Sequence, residues 1–196
     1  MAELVAETVY FGQPGPTNTE RTLKLARRRA EELGLLTVLV ATTTGETGAR
    51  AAQLLRGLDV IAVTHSVGFL RPDFQELTPE NRASIEGLGA RILTCQHAFG
   101  GVSRAVRKKL GTYQLDEIIA YTLRLFGEGM KVIVEMALMA ADAGLVRTDA
   151  PVMVIAGTGR GADTAAVVRP TNAQTFFDLQ IVEIVCRPSP QHPALG

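Results

Sequence analysis

The stretch "VMVIAGTGRGADTAAVVRP", Val152 to Pro170, decides how the chain is built. Two short apolar runs, "PVMVIAG" and "TAAVVRP", are joined by a loop carrying Gly157, Gly159 and Gly161. Runs apolar on both faces read as buried strands. The loop between them is too short for a helical crossover, so the strands are expected to be neighbours. The same loop has a second reading. Its glycines permit positive φ or close approach to a ligand, Arg160 can reach a phosphate, and Asp163 and Thr164 can bond hydroxyls. A glycine-rich hairpin turn and a ligand loop both fit.

Upstream, the rhythm is different. Val9 to Phe11, Leu35 to Ala41, Asp59 to Thr64 and Ala90 to Cys95 are strand candidates. Helical segments alternate with them. Thr17 with Glu20, and Thr43 with Glu46, have capping-box spacing, while Asn18 competes as a cap; Thr78 caps a helix with Pro79 at its first position. Strand alternating with helix argues for a mostly parallel sheet covered on both sides. A short basic helix ("GGVSRAVRKKLG") and a periodic helix from Leu115 to Phe126 follow. Met130 to Ala143 is apolar nearly all round and reads as a buried helix, with a strand over Val132 to Val134 as the alternative. "TNAQTFFD" is expected as a short helix and "QIVEIVCRP" as the last strand. The expectation is one α/β domain over residues 1–196, with 190–196 as a loose tail.

Composition limits the function classes. The 196 residues are 46% hydrophobic, with 20 basic and 20 acidic residues and zero formal net charge. No global basic field points to nucleic acid. Neutrality is compatible with a homo-oligomer. The N-terminus lacks the basic region of a signal peptide, and the most apolar stretch is broken by Lys131, Glu135 and Asp142, so no membrane span is expected. Cys95 and Cys186 belong to no CxxC pair and read as reduced thiols of a cytoplasmic protein.

Ligands of open α/β sheets bind beyond the carboxyl ends of the parallel strands. Besides the glycine loop, three stretches fall there. In "ATTTGETGA", Gly45 lets backbone come close, the helix start offers amides, and Thr43, Thr44 and Thr47 offer hydroxyls. A well-capped helix satisfying its own turn is the plainer reading. His65, directly after a strand, suits a ligand contact, an acid or base, or a structural hydrogen bond. "CQHAFGGVSR" places His97, Gly100, Gly101, Ser103 and Arg104 at another helix start. Glu135 and Asp142 lie two turns apart on the apolar helix, compatible with a buried hydrogen bond as much as with catalysis. The three histidines are poorly spaced for zinc, and there is no Walker A, GxGxxG, GxSxG or HExxH motif.

These loops carry a resemblance. "TTTGETGARAA" resembles the T-x-[ST]-G-x-[ST]-A loop of the pyruvate kinase C-terminal domain, which cradles a phosphate of that enzyme's sugar-bisphosphate activator. Thr42, Thr44, Gly45 and Thr47 take its positions, although Gly48 stands where the kinase loop has alanine. "AGTGRGADTAAVVRP" looks like that domain's second effector loop, with Gly159, Gly161 and Thr164 in it. The chain is more closely similar to stand-alone pyruvate kinase alpha/beta domain-like proteins through "VYFGQPGPTNTERTLKLA", "GEGMKVIVEMALMAADAG", "GRGADTAAVVRP" and "FFDLQIVEIVCRP". The resemblance implies a three-layer α/β/α sandwich: a mostly parallel mixed sheet with an antiparallel strand near the C-terminus. The kinase's catalytic barrel is absent, so kinase activity is not implied.

Members of the stand-alone family bind flavin mononucleotide (FMN), which makes FMN the expected cofactor. The expected phosphate seat is Thr43, Thr44, Gly45, Glu46 (through its amide) and Thr47. The expected ring or ribityl contacts are His65, Gly157, Arg160, Gly161, Asp163 and Thr164. The expected function is binding of a phosphorylated small molecule, with a flavin-dependent oxidoreductase as its enzymatic form. A metabolite sensor, and a hydrolase or transferase acting on a phosphorylated metabolite, are the alternatives.

Overall fold

The computed structural model describes residues 3–195. Its centre is a sheet ordered β1-β7-β6-β5-β2-β3-β4. The strands are β1 (Val9–Phe11), β2 (Thr37–Ala41), β3 (Asp59–Val63), β4 (Arg91–Leu93), β5 (Val152–Ala156), β6 (Thr164–Arg169) and β7 (Gln180–Pro188). β5, β2, β3 and β4 are mutually parallel, and β1 is parallel to β7. β6 runs against both neighbours, β5 and β7, so one antiparallel strand turns a parallel sheet into a mixed one. The glycine loop is therefore a hairpin connection, as its length requires.

Strict alternation along the strands feeds two cores. Val38, Val40, Val60, Ala62, Met153, Ile155, Ala165 and Val167 point to one side. Leu39, Ile61, Val63, Val152, Val154, Ala156, Ala166 and Val168 point to the other. Period two with both phases apolar is the pattern of strands covered on both faces. The first face is covered by α1 (Thr19–Glu32), α2 (Glu46–Leu54) and α3 (Pro79–Gly87). The second is covered by α6 (Glu128–Asp142), with α5 (Leu115–Leu123) outside it and α4 (Val102–Leu110) beside α5. The result is the three-layer α/β/α sandwich.

Residues 132–134 are helical, not a strand. Lying between the sheet and α5, α6 buries all but three of its fifteen residues, which explains why its apolar character runs around the whole circumference.

Two expected capping boxes do not form. A 3-10 turn, Pro16–Asn18, precedes α1, and Asn18 caps without a side-chain bond. Thr19 instead spends its hydroxyl on the Pro16 carbonyl (2.7 Å) while accepting the Ala162 amide (3.0 Å). At α2 the cap is Gly45, left-handed at φ 100°, again without a side-chain bond. Thr42 supplies the local bond, accepting the Gly48 amide at 3.2 Å. Thr78 does cap α3, accepting from Asn81 N–H at 3.2 Å. In the 190–196 segment, the His192 ring stacks on Tyr10 with centroids 5.1 Å apart. Among the described residues no helix is long and apolar enough to cross a membrane.

Candidate functional site

The carboxyl ends of β2, β3, β4 and β5 share one edge of the sheet, and the loops leaving them enclose a cavity of about 540 Å³. That volume falls within the range of small-molecule sites, roughly 300–1,000 Å³. Ala41 and Val63, at the ends of β2 and β3, form an apolar floor with Val132, Met136 and Met139 of α6.

One wall is the β2–α2 turn. Thr43, Thr44, Glu46 and Thr47 line the cavity. The N-cap residue Gly45 offers no side chain and Thr42 takes only the Gly48 amide, so the Glu46 and Thr47 N–H groups and the positive end of the helix are open to an anion. Gly45 is not part of the lining. A side chain there would meet Asn81 Cβ at 2.4 Å and Leu77 Cδ1 at 2.5 Å, so its lack of one serves the packing of α2 on α3.

The glycine loop forms the opposite wall through Gly157, Gly159, Arg160 and Gly161. Its glycines are also structural. A Cβ on Gly157 would strike the Gly161 carbonyl oxygen (2.7 Å), and one on Gly161 would strike Pro16 Cα (2.7 Å). Asp163 and Thr164 do not line the cavity. Both are fully buried, and Asp163 binds the loop from inside: Oδ2 accepts the Gly15 amide (2.8 Å) and the Thr158 amide (3.1 Å). Its Oδ1 accepts the Thr164 hydroxyl (2.7 Å).

A polar array fills the third side. His65, in the loop after β3, places Nδ1 2.7 Å from Glu76 Oε2. Its ring stacks on Phe69 at 4.0 Å, and Phe69 stacks in turn on His97 at 5.0 Å. Arg104 of α4 lies over Phe69, 4.8 Å from the ring centroid. His97 Nδ1 faces Glu135 Oε2 at 3.7 Å. Glu135 also accepts the Phe99 amide at 2.9 Å and pairs with Lys131 one turn earlier on α6. Burial alone would raise the Glu135 carboxyl, but the neighbouring His97 and the charge of Lys131 outweigh it and hold it down at about 2. Asp142, its expected face-mate, lies outside the cavity and instead accepts from Asn172 Nδ2 and the Ala173 amide (3.0 and 3.1 Å).

Of the residues expected from sequence, Thr43, Thr44, Glu46, Thr47, His65, Gly157, Arg160 and Gly161 therefore converge. Lys131, Glu76 and Phe69 were missed. The signal for Lys131 was available: a lysine on a helix apolar all round, four residues before Glu135, has to be buried and paired. Glu76 had no such signal, because its partner lies eleven residues away across an irregular loop. Among the described residues, no group of His, Cys, Asp and Glu is arranged to hold a metal ion.

The family model described as "Pyruvate kinase, alpha/beta domain" matches residues 20–168. Among solved structures, a pyruvate kinase from Cryptosporidium parvum aligns at 13% identity and TM-score 0.40, covering 78% of this chain and 23% of that one. The Cryptosporidium parvum enzyme in complex with ADP aligns at 13% identity and TM-score 0.41, covering 81% and 25%. An NH3-dependent NAD synthetase from Campylobacter jejuni aligns at 16% identity and TM-score 0.34, covering 72% and 56%. The chain thus spans about a quarter of the length of the pyruvate kinases it matches.

Proposed function

The chain belongs to the pyruvate kinase alpha/beta domain family, and from that premise we propose that its strand-end cavity binds a phosphorylated small molecule, with FMN the ligand favoured. The observation that carries this reading is the pair of unpartnered amides, Glu46 and Thr47, at the start of α2, flanked by Thr43, Thr44 and Thr47 and opening into the cavity. Amides, a helix dipole and short hydroxyls together suit a phosphate better than any other common group. Arg160, exposed and in no ion pair among the described residues, faces the cavity from the glycine loop and adds a positive charge.

The donor set fits FMN at both ends. Thr43, Thr44, Thr47 and the Glu46 amide would hold the phosphate, while Gly157, Arg160, Gly161 and His65 would border the remainder. The apolar floor of Val132, Met136 and Met139 gives an aromatic ring a surface to lie against, and methionine is well suited to such contact. When bound, the flavin would supply reversible one- or two-electron transfer, and the protein would bind, orient and shield it. Burial pushes the Cys186 thiol up to about 12 and raises that of Cys95. Two free thiols with raised pKa are compatible with a reducing compartment, and a cytoplasmic location belongs to this proposal.

The test is to denature the purified protein, identify what it releases, and titrate the ligand-free protein with FMN and with riboflavin while following flavin fluorescence. Saturable quenching by FMN, with riboflavin at least about tenfold weaker, is the expected result, since riboflavin lacks the charge-assisted phosphate bonds. Absence of released flavin together with no quenching by FMN would overturn the FMN assignment. Saturable binding of other phosphorylated metabolites in that case would make the protein a metabolite sensor, and turnover of one of them a hydrolase or transferase.

A further inference from the structure

The two histidines of the cavity are held in different ways. His97 is engaged at Nε2, which accepts the Ser66 amide at 3.4 Å, while its Nδ1 lies 3.7 Å from the Glu135 carboxylate. His65 is engaged at Nδ1 instead. Its Nδ1 is bonded to Glu76, its ring plane is fixed by stacking on Phe69, and Nε2 has no partner among the described residues. A carboxylate accepting from Nδ1 forces the proton onto that nitrogen, which leaves Nε2 with a free electron pair. Both His65 and Glu76 border the cavity, and the His65 side chain keeps 29% of its surface exposed.

We propose that His65 is a proton-transfer residue positioned by Glu76, acting on a phosphorylated ligand that presents a hydroxyl or ring N–H to this side of the cavity. The inference rests on the phosphate-ligand reading and adds an acid–base function to it. In the forward step the ligand's O–H or N–H bond breaks and an Nε2–H bond forms. The electron pair stays on the ligand atom, and the imidazolium is neutralised by Glu76. The reverse step returns the proton, so no other reactant is consumed. His97 is excluded from this role because its Nε2 electron pair already accepts the Ser66 amide and its Nδ1 is turned to the Glu135 carboxylate.

Diethyl pyrocarbonate distinguishes the two. It acylates an accessible imidazole nitrogen carrying a free pair and expels ethyl carbonate, while the other ring nitrogen loses its proton. Site-resolved mass spectrometry of the ligand-free protein is expected to show His65 modified at least about tenfold faster than His97. Nitrogen-15 spectra should place the His65 proton on Nδ1. The Glu76→Gln variant should move it towards Nε2 and slow acylation about tenfold. Addition of FMN should protect His65 and leave His192 unprotected. Equal reactivity of His65 and His97, or an Nε2–H tautomer in the unaltered protein, overturns the inference even where FMN binds. FMN that quenches normally yet leaves His65 fully reactive also overturns it, because the ligand then does not reach this residue. Failure of FMN to bind overturns the FMN reading instead, and the reactivity contrast still decides the state of His65.

Discussion

Asp163 is wholly buried, yet both of its carboxylate oxygens have partners, and those partners lie on two loops far apart in sequence. By accepting the Gly15 and Thr158 amides it ties the entry to α1 to the glycine loop, setting the position of the cavity wall without touching its interior. Gly45 is comparable, a residue whose proximity to the site conceals a packing role. With φ at 100° and its Cβ direction blocked by Asn81 and Leu77, it permits α2 to start tight against α3. Gly45→Val is therefore expected to lower stability by roughly 2–4 kcal/mol, combining a left-handed penalty with overpacking. A thermal or denaturant midpoint would show it. Normal stability with weakened FMN binding would instead make Gly45 a ligand-contact residue.

At the scale of elements, α6 determines how the site is assembled. It carries Lys131 and Glu135 into the cavity, and its first turn presses on β6, where a Cβ at Gly129 would lie 2.1 Å from Thr164 Oγ1. Thr164 is fully buried and bonded to Asp163, so it cannot yield. Alanine at position 129 would favour the helix by about 1 kcal/mol on propensity alone. Gly129→Ala is nevertheless expected to destabilise by about 1–3 kcal/mol, since helix and strand must separate. Equilibrium denaturation in urea measures the difference, and a stabilised variant would mean the contact has slack. The same helix marks what was legible in sequence. Its apolar circumference announced burial, and the alternating strands announced a sheet covered on both faces. The adjacency of β5 and β6 followed from loop length. The partners of Asp163 did not, because a glycine loop that folds on itself and one that contacts a ligand need the same residues. Nor did the absence of the α2 capping box, since Thr43 and Glu46 have the right spacing whether or not the turn uses it.

Across the whole molecule, Glu135 joins two layers of structure: it sits on α6, accepts the Phe99 amide from the segment before α4, and faces His97 beyond β4. Its carboxyl titrates at about 2 in the folded protein against an ordinary 4.5. A group whose folded value is depressed binds fewer protons when native, so its contribution is complete above about pH 4.5 and is lost as pH falls towards 2. The contribution is on the order of 3 kcal/mol, and unfolding free energy should decline over that window. Glu135→Gln should flatten this part of the decline. At neutral pH it should also cost about 3–5 kcal/mol, because Lys131 is then buried without its counter-charge. Replacing both, as Lys131→Met with Glu135→Leu, removes the stranded charge, so stability at neutral pH should recover most of that loss. Urea denaturation of the three proteins between pH 7 and pH 2 separates these outcomes. An unchanged acid slope in Glu135→Gln would assign the acid sensitivity to other carboxylates. A double variant no more stable than the single one would show that the cavity depends on the ion pair itself, beyond the neutralisation of Lys131.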